Sequence, residues 1–201
     1  MIELRPGGII TVSAPNCVGR TIRVCTLGAE NHIGFIGLGE HEGPYLWEST
    51  MSSRLRCSAV RHVVQGVQYH PITARLREEA KRGSTVWYYP PTQELTDEQR
   101  QELIYFCTLH LGQPYDYWGA FRVRLLCCGW LAQRVLPIRE GLGNWFCSEF
   151  VAAAFRAADL FYPMNASAWS PVALRKMLVK LEVVGPSPEL LVDAGKIKWG
   201  E

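Results

Sequence analysis

The chain has no run of apolar residues approaching the roughly 18 needed to cross a bilayer as a helix. Its longest apolar stretch, Leu125 to Leu131, is about two helical turns and suits a core or a lipid-contacting surface. Excess charge of one sign is also missing. The 21 Lys+Arg face 19 Asp+Glu, and a net charge of +2 is too small to imply nucleic-acid binding. No CxxC pair exists, and the adjacent Cys127 and Cys128 would point in different directions on a helix, so the spacing of a zinc site is absent. The glycine-bearing GLGNW at 141–145 lacks the lysine and hydroxyl of a phosphate-binding loop. There is no internal repeat and no low-complexity tract. MIELRPGGII lacks the basic-then-apolar order of a secretory signal. The seven cysteines are an odd number, which argues against a closed disulfide framework. A chain of 201 residues is also long enough to be held by its core. These absences lead us to expect a reduced, cytoplasmic protein with no transmembrane segment and no nucleic-acid partner.

What is present is a globular composition in an ordered sequence of elements. Gly8 to Val12, Thr21 to Leu27 and His32 to Leu38 read as short strands, and GEHEGP turns the last of these into Tyr45 to Glu48. Arg61 to Tyr69 alternates as a further strand. Thr73 to Arg82 reads as a helix ending at Gly83, and Thr85 to Tyr89 as a strand stopped by two prolines. Thr96 with Gln99 forms a capping-box pattern that opens a helix to about Leu111. Tyr117 to Val135 reads as helix broken near Gly129, and Trp145 to Leu160 as a strong helix. Ser170-Pro171 opens another helix, to about Val179. A last strand is expected at Leu181 to Val184. Strands first and helices after predict an α+β fold. The cluster Arg122, Arg124, Arg134 and Arg139, interleaved with Phe121, Trp130 and leucines, reads as a solvated helix face rather than an anionic-surface contact.

Cys147 is the most informative position. Phe150, Val151, Ala154, Phe155 and Ala158 follow it at helical spacing, so it heads the apolar stripe of its helix. A thiol there meets the positive end of the helix dipole and free backbone N–H groups, both of which favour the nucleophilic thiolate. On this stretch alone a small buried core cysteine is the simpler reading.

A cysteine nucleophile needs a base, and the base needs an orienting group. Of five histidines, His41 lies in a turn, His62 and His70 bracket a strand, and His110 is on a helix. A lone histidine in such places is usually structural. His32 stands apart, because it enters a short apolar strand and Glu48 ends the next strand-like run. If the two strands pair, Glu48 can accept from one imidazole nitrogen while the other faces a helix.

Four segments in this order, NHIGFIGL, YLWEST, LGQPYDYWGAF and FCSEFVAAAF, resemble the circularly permuted papain-like cysteine hydrolases. These are relatives of the NlpC-type cell-wall amidopeptidases and, more distantly, of the lecithin:retinol acyltransferase group. LRPGGIITV resembles the family's opening strand and SPVALRKM its post-cysteine segment, so the likeness covers most of residues 3 to 180. The resemblance implies a papain-like fold in permuted order, an antiparallel sheet packed against the cysteine helix. The whole chain would be one domain, with an inserted segment around 52–95 and a short tail at 185–201. It further implies Cys147 as nucleophile, His32 as general base and Glu48 as the residue that orients the imidazole. Tyr115 would help to hold the oxyanion beside the Cys147 backbone N–H, though it reads equally well as an interfacial aromatic. The family often has Gly-Asp at Gly7-Gly8 and Ser at Asn31; neither departure removes a catalytic atom.

The implied activity is that of a cysteine peptidase or amidase, cleaving an amide, isopeptide or ester bond through a thioester acyl-enzyme. Its substrate would be a peptide, a peptidoglycan fragment or an acyl-lipid, and no metal or cofactor is required. The competing reading is a non-enzymatic interaction or structural module on the same fold, for which seven tryptophans could furnish a surface. Intact Cys, His and Glu count against it.

Overall fold

Apolar residues alternate along each of the first strands, and this alternation divides the core between two faces of one sheet. The computed structural model describes residues 2–15, 28–39, 43–120, 143–162 and 165–192. Within them β1 (Ile9–Ser13), β2 (His32–Gly37), β3 (Tyr45–Thr50), β4 (Gly66–Pro71), β5 (Thr85–Tyr89) and β6 (Glu189–Val192) form one antiparallel sheet in the order β4-β3-β2-β1-β5-β6. Ile9, Ile33, Phe35, Tyr45 and Trp47 enter one apolar cluster, while Ile10, Val12, Ile36 and Leu46 enter the other. That is the two-residue period of a strand covered on both sides.

Helix α1 (Ile72–Lys81) covers the second cluster. It follows β4 directly and carries the chain across the sheet to β5, which lies beyond β1. On the opposite face lie α2 (Asp97–His110), α3 (Cys147–Ala157) and α4 (Pro171–Lys180), with a single 3-10 turn at Ala166–Ala168. The capping box at Thr96 and Gln99 forms as expected, and Ser170 Oγ accepts from the Ala173 N–H with Pro171 in the first turn.

The α+β class and the antiparallel sheet therefore hold, but several boundaries move. The strand expected at 61–69 pairs only from Gly66. Before it the chain turns, with Arg61 in the left-handed region (φ 58) and its N–H bonded to the Cys57 carbonyl at 2.9 Å. Leu181 to Val184 is no strand: Leu181 and Val183 donate back to Met177 and Leu178 and close the end of α4. The sixth strand comes instead from Glu189–Val192, in the segment read as tail. Residues 52–95 supply β4, α1 and β5.

The helix read from Trp145 begins at Cys147, and it is buried on every side from Cys147 to Phe155 rather than along one stripe. Ala152, Ala153 and Ala154 favour helix and are small enough for close packing. Phe150 and Phe155 meet Phe35 of β2, with ring centroids at 6.1 and 5.5 Å. Of the helix expected at Tyr117 to Val135, residues 117–120 are helical. The remainder lies outside the described residues, as do the strand at Thr21 to Leu27, His41, the four-arginine cluster and Cys17, Cys25, Cys127 and Cys128. Among the described residues no helix is long and apolar enough to cross a membrane.

Candidate active site

Strand pairing brings the first two candidate residues together. His32 and Gly34 share a face of β2 by the two-residue period. A Cβ on Gly34 would come within 2.8 Å of the Trp47 carbonyl and 3.2 Å of Glu48 Cβ. The glycine thus lets β2 and β3 close at this level and leaves the imidazole a clear diagonal path. Across it, His32 Nε2 bonds Glu48 Oε2 at 2.5 Å. Glu48 is fully buried, and the His32 side chain is 15% exposed.

The other side of the imidazole interacts with the Cys147 side chain of α3. With Nε2 committed to Glu48, Nδ1 is the nitrogen left for the sulfur. Burial opposes a charge on the ring. The interactions with Cys147 and Glu48 outweigh it and push the His32 pKa up to about 10. Cys147 is a buried free cysteine at the first position of its helix. Phe146, the N-cap, makes no side-chain cap bond, so no capping side chain takes the first-turn N–H groups.

Tyr115 arrives from a segment wedged between the sheet edge and the entry to α3. Val67 N–H donates to the Gln113 carbonyl at 2.9 Å, and Tyr115 N–H to the Gln65 carbonyl at 3.0 Å. This approach requires Gly66, where a Cβ would lie 1.9 Å from the Gln113 oxygen. On its other side the segment bridges Trp145: Trp145 N–H donates to Pro114 and Asp116 N–H to Trp145, at 3.0 and 3.2 Å. Ser49 Oγ of β3 holds the same Trp145 carbonyl at 2.5 Å. The Tyr115 hydroxyl is thereby brought beside the Cys147 side chain. Burial first, then the neighbouring Cys147, Asp116 and Tyr117, raise its pKa well above the ordinary phenol value, so it remains a proton donor.

All four expected site residues therefore converge. Of the other described histidines only His70 comes near, on the side of Glu48 away from the sulfur. His70 is buried in β4 against Gln68 Oε1 at 2.9 Å, His62 is exposed, and His110 packs on Phe106 and Trp145.

One residue of this centre escaped the sequence reading. Arg75 of α1 is 1% exposed. It donates from Nε to Glu48 Oε1 at 2.6 Å and from Nη2 to Glu48 Oε2 at 3.3 Å. Its Nη1 meets Glu78 at 3.0 Å and also bonds Glu79. Burial alone would raise the Glu48 pKa, but the guanidinium and the bond from His32 hold this carboxyl well below the usual range. The signal was in the helix period. Arg75 and Glu79 are four apart and lie with Ile72 on the buried face of α1.

No family model matches the chain, and no curated protein does. Among solved structures the chain is similar to the metalloprotein YiiX from Escherichia coli O157:H7. The TM-score is 0.55 at 17% sequence identity, covering 96% of this chain and 98% of that one. This likeness shows a shared fold. The word metalloprotein describes that protein. Here, among the described residues, no group of three or more His, Cys, Asp or Glu side chains could hold a metal ion. The carboxylate of this centre, Glu48, is already closed by a guanidinium, so its donors do not fit one.

Proposed function

We propose that the chain is a cysteine-nucleophile hydrolase or acyltransferase acting on an amide, isopeptide or ester carbonyl. The carrying observation is that His32, bonded to Glu48 at 2.5 Å, and Tyr115 both interact with Cys147 at the head of α3. The order of its parts, histidine strand, glutamate strand, tyrosine segment and then cysteine helix, supports a papain-like site in permuted order.

The chemistry follows from the charges. In this reading Cys147 attacks as a thiolate, paired with an imidazolium on His32 that Glu48 steadies from behind. The thiolate attacks the carbonyl carbon and the C–O π electrons move to oxygen. The Cys147 backbone N–H and the Tyr115 hydroxyl would donate to that oxyanion. His32 then protonates the departing amine or alcohol as the bond to it breaks, leaving a thioester. Water or another acceptor attacks next, giving its proton to His32, and Cys147 leaves as thiolate.

Iodoacetamide should alkylate Cys147 at least about tenfold faster than the buried Cys57 and Cys107, and His32→Ala should remove most of that advantage. Peptide mapping by mass spectrometry reads each thiol separately, and equal rates at all three, unchanged in H32A, would sink the proposal. Product release from peptidoglycan fragments, acyl-lipids and isopeptide-linked peptides then sorts the substrate classes. On whichever is cleaved, Tyr115→Phe should lower kcat about 10^2-fold with little change in KM, the cost of one oxyanion donor. An unchanged kcat would return Tyr115 to the role of a packing aromatic.

A further inference from the structure

Arg75 is an unusual neighbour for a catalytic pair, because a buried charge is costly unless every donor is met. Here three carboxylates meet all three of its nitrogens. Glu48 takes the Nε and Nη2 side of the fork, while Glu78 and Glu79 take Nη1. Arg82 in turn binds Glu79 Oε1 at 3.1 Å and Glu78 Oε1 at 2.7 Å. Glu78 is tied further to the Arg54 N–H at 2.7 Å and to Ser53 Oγ at 3.2 Å. The guanidinium is therefore held from behind by a rigid set of partners and presents its remaining edge to Glu48.

Two donors on one carboxylate fix its plane as well as its position. With that plane fixed, Oε2 is directed to His32 Nε2, which leaves the other imidazole nitrogen free for Cys147. We infer that Arg75 is the positioning residue of this centre, a clamp from the opposite layer of the fold that keeps Glu48 charged and aimed at His32. The inference rests on the hydrolase reading for its consequence in catalysis, though not for its geometry.

The groups facing Glu48 are few. They are His32 from β2, Arg75 from α1 with Glu78 and Glu79 behind it, and His70 from β4. Cys147 of α3 and Tyr115 lie on the far side of His32. Removing the guanidinium leaves Glu48, Glu78 and Glu79 as crowded carboxylates, and crowded carboxylates retain protons to higher pH. A protonated Glu48 no longer supports an imidazolium.

The test compares the wild type, Arg75→Gln and Arg75→Lys in the complete chain. Iodoacetamide alkylation of Cys147 is followed against pH, together with the titration of the His32 ring by 15N NMR. In R75Q the acid limb of alkylation should move up by about one pH unit or more, so the rate measured on that limb falls about tenfold. The His32 titration should move the other way, to lower pH. R75K keeps the charge but loses the fork, so its limb should stay in place while the plateau falls severalfold. An R75Q profile that overlays the wild type, with only a lower melting temperature, would overturn the inference and leave Arg75 as a structural ion. If R75Q does not fold, R75K decides, and an unchanged plateau there rejects the clamp. A wild-type Cys147 no more reactive than Cys57 and Cys107 defeats the hydrolase reading instead. The His32 titration in R75Q then decides the clamp alone.

Discussion

Cys147→Ala should lower turnover of any cleaved amide or ester by roughly 10^4-fold or more, because the residue that forms the covalent intermediate is gone. The expectation is sharper for Cys147→Ser. A hydroxyl of the same shape keeps the hydrogen-bond geometry to His32 but does not ionise near neutral pH, so a serine in a site built around a thiolate–imidazolium pair should be nearly as inactive. Quenched-flow trapping provides the check. The wild type should accumulate a substrate-derived adduct on Cys147, visible as an added acyl mass, and both variants should show none. Turnover by C147A above one per cent of wild type would place the chemistry elsewhere. The helix itself should survive the change, since its burial rests on Phe150, Val151 and Phe155, all fully buried.

Glu48→Ala should be the most damaging substitution for stability, at about 3 kcal/mol. Removing one member of a buried ion pair commonly costs 3–5 kcal/mol, and the low end applies because Glu78 and Glu79 still face Arg75. The pH dependence of the loss carries a sign. Glu48 has a depressed folded pKa, so its contribution is complete above the unfolded value of 4.5 and is lost as the pH falls below it. His32 is raised, so its contribution is complete below 6.5 and is lost as the pH rises toward about 10. Urea denaturation of the wild type should therefore show highest stability from about 4.5 to 6.5, with a decline on either side. The E48A curve should lie lower and be flatter at its acid end, where the contribution is that of this carboxylate, while the alkaline decline, which Cys147 also supports, should shrink only in part. An E48A curve parallel to the wild type across the whole range would mean that Glu48 carries no linked charge.

Much of the site could be read from local pattern. The Thr96 capping box, the Ser170-Pro171 helix start and the apolar spacing after Cys147 each concern residues within one or two turns, where backbone hydrogen bonding dictates the outcome. The pairing of the His32 and Glu48 strands followed from a short hairpin of alternating residues. Where the chain pairs across long separations, local pattern misled. Leu181–Val184 has the composition of a strand but is taken up in closing α4, while Glu189–Val192 finds the free edge of β5. Residues 61–65 alternate well enough, yet the turn at Cys57 to His62 keeps them from β3.

The sequence by itself determined which thiol heads a helix, which histidine enters a strand, and that Glu48 follows one hairpin later, because each depends on neighbours along the chain. Only the tertiary structure decided that Tyr115 reaches the sulfur, since that required the 113–116 segment to fit between β4 and Trp145. It alone decided that Arg75 belongs to the centre. In a helix reading ITARLREEAK, an arginine ordinarily belongs to the solvated face. Its burial became tolerable because the crossover carried by α1 lays that helix over β3, where Glu48 meets it from the sheet and Glu78 and Glu79 complete the set. Burial of a charge is settled by the partners that packing supplies, and those partners are distant in sequence.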